Sequence, residues 1–196
     1  MITPEINKYD ALLFLDLDGV LNCQTFYEER YMHLQEPDVP LYKSVKKVMK
    51  KEVKSKKIEK LDYYKGEMCP MRMGWLNELC AELNIGVVLS ASMRACYEPE
   101  ELQEIFNYCG ATFTIIDKTG HSESRIRGVE IKKWLDDNTM SWFGVFPHDF
   151  YRYAIVDDDS DMLLWQQFNF FQTDTYSGLT PSICYRIKRF LTHKTF

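Results

Sequence analysis

Paired cysteines at zinc-binding spacing are missing from this chain. Its six cysteines, at 23, 69, 80, 96, 109 and 184, include no CxxC. Its four histidines (His33, His121, His148 and His193) form no ligand spacing either. Both absences argue against a structural zinc site. No run of 18 apolar residues occurs, so no membrane-spanning helix is expected. A basic excess is lacking too: 24 Lys and Arg stand against 29 Asp and Glu, a net charge of −5. Binding nucleic acid through overall positive charge is therefore disfavoured, although a local basic patch suffices to hold a polyanion. The first ten residues show no basic region, apolar stretch or small-residue cleavage site. The cysteines are read as reduced, and the expectation is a cytoplasmic protein. No internal repeat and no sign of a dedicated protein partner is evident.

What is present suits a folded α/β domain. Hydrophobic residues make up 45% and charged residues 27% of the 196, enough for a core without covalent staples. We read 1–196 as one domain carrying an insertion at 23–70. Short apolar runs predict strands at Ala11–Leu15, Ile85–Leu89, Thr112–Ile116, Tyr153–Val156 and Asn169–Gln172. Helices are expected between them. Leu76, Leu79, Cys80 and Leu83 share one helical face, as do Leu102, Ile105, Phe106 and Cys109. A further helix starts at Gly128, with Ile131, Trp134 and Leu135 on its apolar side. Thr180 and Pro181 read as an N-cap and first helical position before Ile183, Ile187, Phe190 and Leu191. Such alternation implies a central parallel sheet with helices on both faces.

Chemistry-bearing residues cluster just beyond the predicted strands. Asp16 and Asp18 follow the first, Ser90 the second, and Asp157 and Asp158 the fourth. In open parallel sheets this carboxyl-end edge is where ligands bind. The first segment reads Leu13-Phe14-Leu15-Asp16-Leu17-Asp18-Gly19-Val20-Leu21-Asn22. Two acids so close can divide their roles between an ionised nucleophile and a proton carrier. Gly19 lets the backbone turn sharply. The acids of Asp157-Asp158-Asp159-Ser160-Asp161 suit Mg²⁺, a hard ion with a preference for oxygen, or else a solvated acidic turn.

These segments resemble the haloacid dehalogenase (HAD) superfamily, whose first motif is an apolar strand followed by DxDG(T/V)(L/I). The resemblance covers most of the chain outside the Lys-rich insertion. It implies a Rossmann-like core with 23–70 as a small helical cap. In the second motif Ser90 takes the phosphoryl-binding position, with Ser92 and Arg94 close by to contact substrate. For the cationic third motif Arg127 is preferred, with Lys132 next. Asp157 is the first choice of metal ligand in the last motif, and Asp158 and Asp161 compete for the second acidic role. Asp16 and the backbone carbonyl of Asp18 would complete the Mg²⁺ site.

The resemblance further implies attack on phosphorus by Asp16, giving an aspartyl-phosphate, with Asp18 as general acid and then base. Having an acid at 18 favours phosphatases or phosphomutases over dehalogenases and P-type ATPases, and mutases, generally associated with different caps, rank lower. Within the superfamily the chain looks most like the phosphatase domains of nucleic-acid repair proteins that act on polynucleotide 3′-phosphates. Ser90-Ala91-Ser92-Met93-Arg94, Arg127-Gly128-Val129-Glu130-Ile131, Asp157 to Asp161 and Thr173 to Thr180 carry that likeness. DNA or RNA ends and nucleotides are thus the expected substrates. A nucleotidase or other small-molecule phosphatase, and a noncatalytic binding protein on the same scaffold, are the alternatives. The lysines at 43, 46, 47, 50, 51, 54, 56, 57 and 60 read as solvated helix faces, or as a basic lid that attracts a polyanion. The four tryptophans read as packing residues.

Overall fold

The computed structural model describes residues 8–31, 60–147 and 152–193. Five strands form one sheet: β1 (Ala11–Leu15), β2 (Ile85–Leu89), β3 (Thr114–Lys118), β4 (Tyr153–Asp157) and β5 (Phe170–Gln172). Their spatial order is β3-β2-β1-β4-β5 and every pairing is parallel. Around them run α1 (Gln24–Tyr31), α2 (Lys60–Glu67), α3 (Pro70–Glu82), α4 (Pro99–Tyr108), α5 (Arg127–Phe143) and α6 (Pro181–His193).

β1 lies at the centre because all five of its residues are apolar and can be buried on both faces. Its alternation assigns Ala11, Leu13 and Leu15 to one core. There they join Leu76 and Leu79 of α3, Leu102, Ile105 and Phe106 of α4, and Ile187 and Leu191 of α6. Leu12 and Phe14 face the other core with Ile131, Trp134 and Leu135 of α5. Phe14 meets Trp134 edge-on at 5.5 Å between ring centroids. The chain is thus an α/β protein with helices on both faces of a parallel sheet.

Most helix ends follow the sequence signals. Pro181 opens α6, and the Thr180 hydroxyl accepts the Ile183 N–H at 3.3 Å. α4 ends at Tyr108, just before Gly110. The expected third strand starts later and runs further than its apolar run suggests. Thr112 and Phe113 are held by the side chains of Asn77 and Gln103 rather than by a neighbouring strand. Polar Asp117 and Lys118 are accommodated because Trp134 Nε1 donates to Asp117 at 2.7 Å and Lys118 Nζ donates to the Tyr97 carbonyl at 2.7 Å.

Trp165 departs from the expectation of a packing role: it is 57% exposed, beside exposed Leu164 and Phe168 on the 3₁₀ turn Leu164–Phe168. All six cysteines are free thiols. Of residues 23–70, only 23–31 and 60–70 are described, and they hold α1, α2 and the start of α3. His33, His148 and the lysines from 43 to 57 lie outside the described residues, as does the side chain of Lys60. Among the described residues, no helix is long and apolar enough to cross a membrane.

Candidate active site

Strand register builds the site. Leu15 pairs with Leu89 on one side and with Val156 on the other. The next residue on each strand is Asp16, Ser90 or Asp157, so three polar side chains end at one level. The ladder continues past the apolar runs: Asp16 N–H donates to the Val156 carbonyl at 3.0 Å, and Ser90 N–H to the Leu15 carbonyl at 2.8 Å. All three residues are buried. Carboxylate oxygens of Asp16, Asp157 and Asp158 lie within 4.8 Å of one another.

Arg127 closes this cluster. As the first residue of α5, it donates from Nε to Asp157 Oδ2 at 3.1 Å and from Nη2 to Asp16 Oδ1 at 3.2 Å. Its Nη1 donates to the Ser90 carbonyl. One cation beside three acids leaves a negative excess in a dry place. Burial, then the Asp157 charge, pushes the Asp16 carboxyl up to about 7, against the pull of Arg127. Burial likewise pushes Asp157 up to about 6, although Arg127 and the Asp159 N–H oppose it. An all-oxygen, charge-rich set of this kind fits a hard divalent cation such as Mg²⁺. It does not fit a soft metal.

The turn after β1 places the second acid. Asp18 is exposed, and its Oδ1 accepts from Asn22 Nδ2 at 2.8 Å. Gly19 adopts φ +69°, and a Cβ there would overlap the Asp158 carboxylate. That carboxylate accepts from the Thr175 hydroxyl at 2.7 Å. The Ser90 hydroxyl is fully buried and has no hydrogen-bond partner. Such an orphan calls for an explanation, and a phosphoryl oxygen would supply a partner.

Other sequence candidates stand elsewhere. Asp161 is exposed and serves the start of α5: its Oδ2 accepts the Arg127 N–H at 2.7 Å, and its carbonyl accepts the Gly128 N–H at 3.3 Å. It thereby caps the helix that carries Arg127, while Asp158 is the acid beside Asp16 and Asp157. Lys132 pairs with Asp136 one turn along α5, on an exposed face. Ser92 is exposed at the start of the 3₁₀ turn Ser92–Ala95. Arg94 is buried, and its fork is engaged by the protein: Nη1 donates to the Ser90 carbonyl and Nη2 to Glu130 Oε2 at 2.5 Å.

Glu130 was not among the candidates. Buried to 4% exposure, it also accepts the Ser122 N–H at 3.0 Å and lies 3.8 Å from Arg127. Its position three residues after Arg127 on one helix is a signal the sequence does carry. Asn22 likewise follows Asp18 by four. Thr175 lies in the Thr173 to Thr180 segment that carries the likeness, but no spacing rule ties it to Asp158, which it meets through the loop after β5.

No curated protein and no solved structure matches the chain. One family model does, described as the HAD domain in Swiss Army Knife RNA repair proteins, over residues 12–183. That span holds every residue of the site, from Asp16 to Thr175. It also covers the five strands that carry the site, all but Ala11 of β1, so the match and the geometry concern the same structure. The chain belongs to this family of HAD domains.

Proposed function

We propose that this chain is a Mg²⁺-dependent phosphomonoesterase acting through an aspartyl-phosphate, with a nucleic-acid 3′-phosphate end as substrate. The observation that carries the proposal is the meeting of Asp16 with Asp157, Asp158 and Arg127 at one level of the sheet. Asp16, Asp157, Asp158 and the Asp18 carbonyl would hold the metal. When bound, Mg²⁺ supplies positive charge that lets a carboxylate approach a phosphate dianion.

The protein's own residues perform the rest. An Asp16 oxygen attacks phosphorus in line with the leaving oxygen, and the P–O ester bond breaks as the Asp16–phosphorus bond forms. Asp18 is exposed and tethered at one oxygen by Asn22. It gives its proton to the leaving oxygen, then takes one from the water that hydrolyses the acyl phosphate. Arg127 and the Ser90 hydroxyl hold the phosphoryl oxygens, where positioning and electrostatics provide most of the catalysis. The orphaned Ser90 hydroxyl supports this assignment.

The nucleic-acid end rests on the family's description as a domain of RNA repair proteins. The 23–70 insertion acts as a cap in this proposal. Its stems support that, since Cys69 N–H donates to the Leu21 carbonyl, in the turn that bears Asp18, at 3.1 Å.

Phosphate release with Mg²⁺, measured for wild type and Asp16→Asn, tests the proposal. The panel holds an aryl phosphate, mononucleotides, and DNA and RNA oligonucleotides with 3′- or 5′-phosphates. Preference for 3′-phosphate ends, abolished in the variant, is expected. Preference for mononucleotides would make the protein a nucleotidase with a closing cap. No release from any substrate by wild type would overturn the hydrolase assignment and favour a binding role.

A further inference from the structure

α6 carries charge of one sign only. Its 13 residues include Arg186, Lys188, Arg189 and His193 and no acid, in a chain whose net charge is −5. Ile187 and Leu191 are buried in the core. On the opposite side Ser182, Arg186, Arg189 and His193 recur at i, i+4, i+7 and i+11, which makes one stripe along the helix. All four are exposed. Lys188 lies off the stripe and pairs with Glu82 of α3.

Arg186 and Arg189 are held in place without being neutralised. Among the described residues neither pairs with a carboxylate. Each guanidinium lies over an aromatic ring instead. Arg186 Cζ is 5.7 Å from the Phe171 ring centroid, and Arg189 Cζ is 6.0 Å from that of Tyr185. A ring face steadies a guanidinium and leaves its N–H edge free to donate. Tyr185 is itself 60% exposed. In an acidic protein, two fixed and unpaired cations side by side on one face suit an anionic partner.

The stripe starts beside the active site. Leu179 N–H, two residues before α6, donates to the Val20 carbonyl, in the turn after β1, at 2.9 Å. Phe171 of β5 pairs with Val156, and the next pair joins Gln172 to Asp157. Arg186, over Phe171, therefore stands at the sheet edge, one strand away from Asp157. From Arg186 to His193 the helix runs about 10 Å further. An extended anion fits this face better than a single phosphate does. We propose that the sugar–phosphate backbone of a polynucleotide lies along α6, with its phosphates bonded by Arg186 and Arg189. Guanidinium forks match phosphate oxygens, and such contacts position a strand without reading its bases. The inference rests on the polynucleotide reading above, but not on the chemistry at Asp16.

The probe is a fluorescent single-stranded oligonucleotide ending in a 3′-hydroxyl, which binds without turnover. Its Kd is measured against salt concentration for wild type and for the double variant Arg186→Gln with Arg189→Gln. Lys188→Gln removes one charge from the same helix off the stripe and serves as the control. The double variant is expected to bind about tenfold more weakly at low salt, and its plot of log affinity against log salt to be shallower by about 1.4, from two lost phosphate contacts. Lys188→Gln keeps the wild-type slope. Arg186→Lys with Arg189→Lys keeps both charges and retains most of the slope, which separates lost contacts from damage to the fold. An unchanged slope in the double variant, an equal fall in Lys188→Gln, or no binding by wild type overturns the proposal. Binding of phosphatidylserine vesicles through these arginines, with the oligonucleotide left unbound, makes the face a membrane contact and overturns it as well. Phosphate release from an aryl phosphate is followed separately, so failure of the phosphatase reading shows there and leaves the binding result intact.

Discussion

The Asp158 carboxylate lies where a side chain on Gly19 would be. Gly19 has φ +69°, and a Cβ at that position would overlap Asp158. The turn after β1 and the acidic loop after β4 therefore fit together only with glycine at 19. Thr175 holds Asp158 from the other side at 2.7 Å, and the Thr173 hydroxyl donates to the Gly19 carbonyl at 2.8 Å.

Gly19→Ala should consequently damage both stability and metal binding. The left-handed φ alone costs an L-residue about 1–2 kcal/mol. Displacing Asp158 should weaken Mg²⁺ affinity by about tenfold or more, the range seen when a metal ligand's support is disturbed. Thermal melts and calorimetric Mg²⁺ titration check both. Wild-type behaviour in both assays would show that Asp158 does not need this space.

The strand ends could be read from sequence because each buried run stops at a polar residue, and parallel pairing leaves little freedom in register. Asp16, Ser90 and Asp157 are aligned for that reason. Roles within the clusters were less legible. Asp158 and Asp161 both suit an acidic motif, and only the position of α5 separates them, since Asp161 caps that helix. Lys132 and Arg127 share α5, but the sheet lies on the side of Arg127, and Lys132 turns to Asp136. The partner of Arg94 is not legible in sequence, because Glu130 lies 36 residues away. Trp165 is exposed because Gln166, not the tryptophan, fills the space beside Gly128: its Nε2 donates to the Gly128 carbonyl at 2.9 Å.

Glu130 is expected to be the most sensitive residue outside the acidic cluster. It neutralises buried Arg94 at 2.5 Å and approaches Arg127 at 3.8 Å. Removing one partner from a buried ion pair costs about 3–5 kcal/mol, because the other charge is stranded. Glu130→Ala should destabilise the protein by that amount. The double variant with Arg94→Met should recover part of the loss, as coupled neighbours do. Denaturant melts of both single variants and the double variant measure the coupling. Strict additivity would mean that the pair does not act as a unit.

Stability of the metal-free protein should fall as pH rises, and Mg²⁺ should reverse the trend. Asp16 is pushed up to about 7 and Asp157 to about 6, chiefly by burial. Unfolded, both titrate near the usual value of roughly 4. A raised carboxyl binds its proton more tightly when folded. Its stabilising contribution is therefore complete below about pH 4 and is lost as pH climbs through 6–7. Metal binding requires the ionised carboxylates, so Mg²⁺ affinity should increase over that same window. Asp16→Asn removes one of the two groups without changing its shape. In EDTA it should melt above wild type at pH 8, with the difference shrinking toward pH 5. Comparing the two proteins cancels titrations elsewhere in the chain. A wild-type melting temperature in EDTA that rises against Asp16→Asn between pH 5 and 8 would mean that Asp16 is stabilised as an anion. The acidic cluster would then already be balanced by Arg127, with no need of a cation.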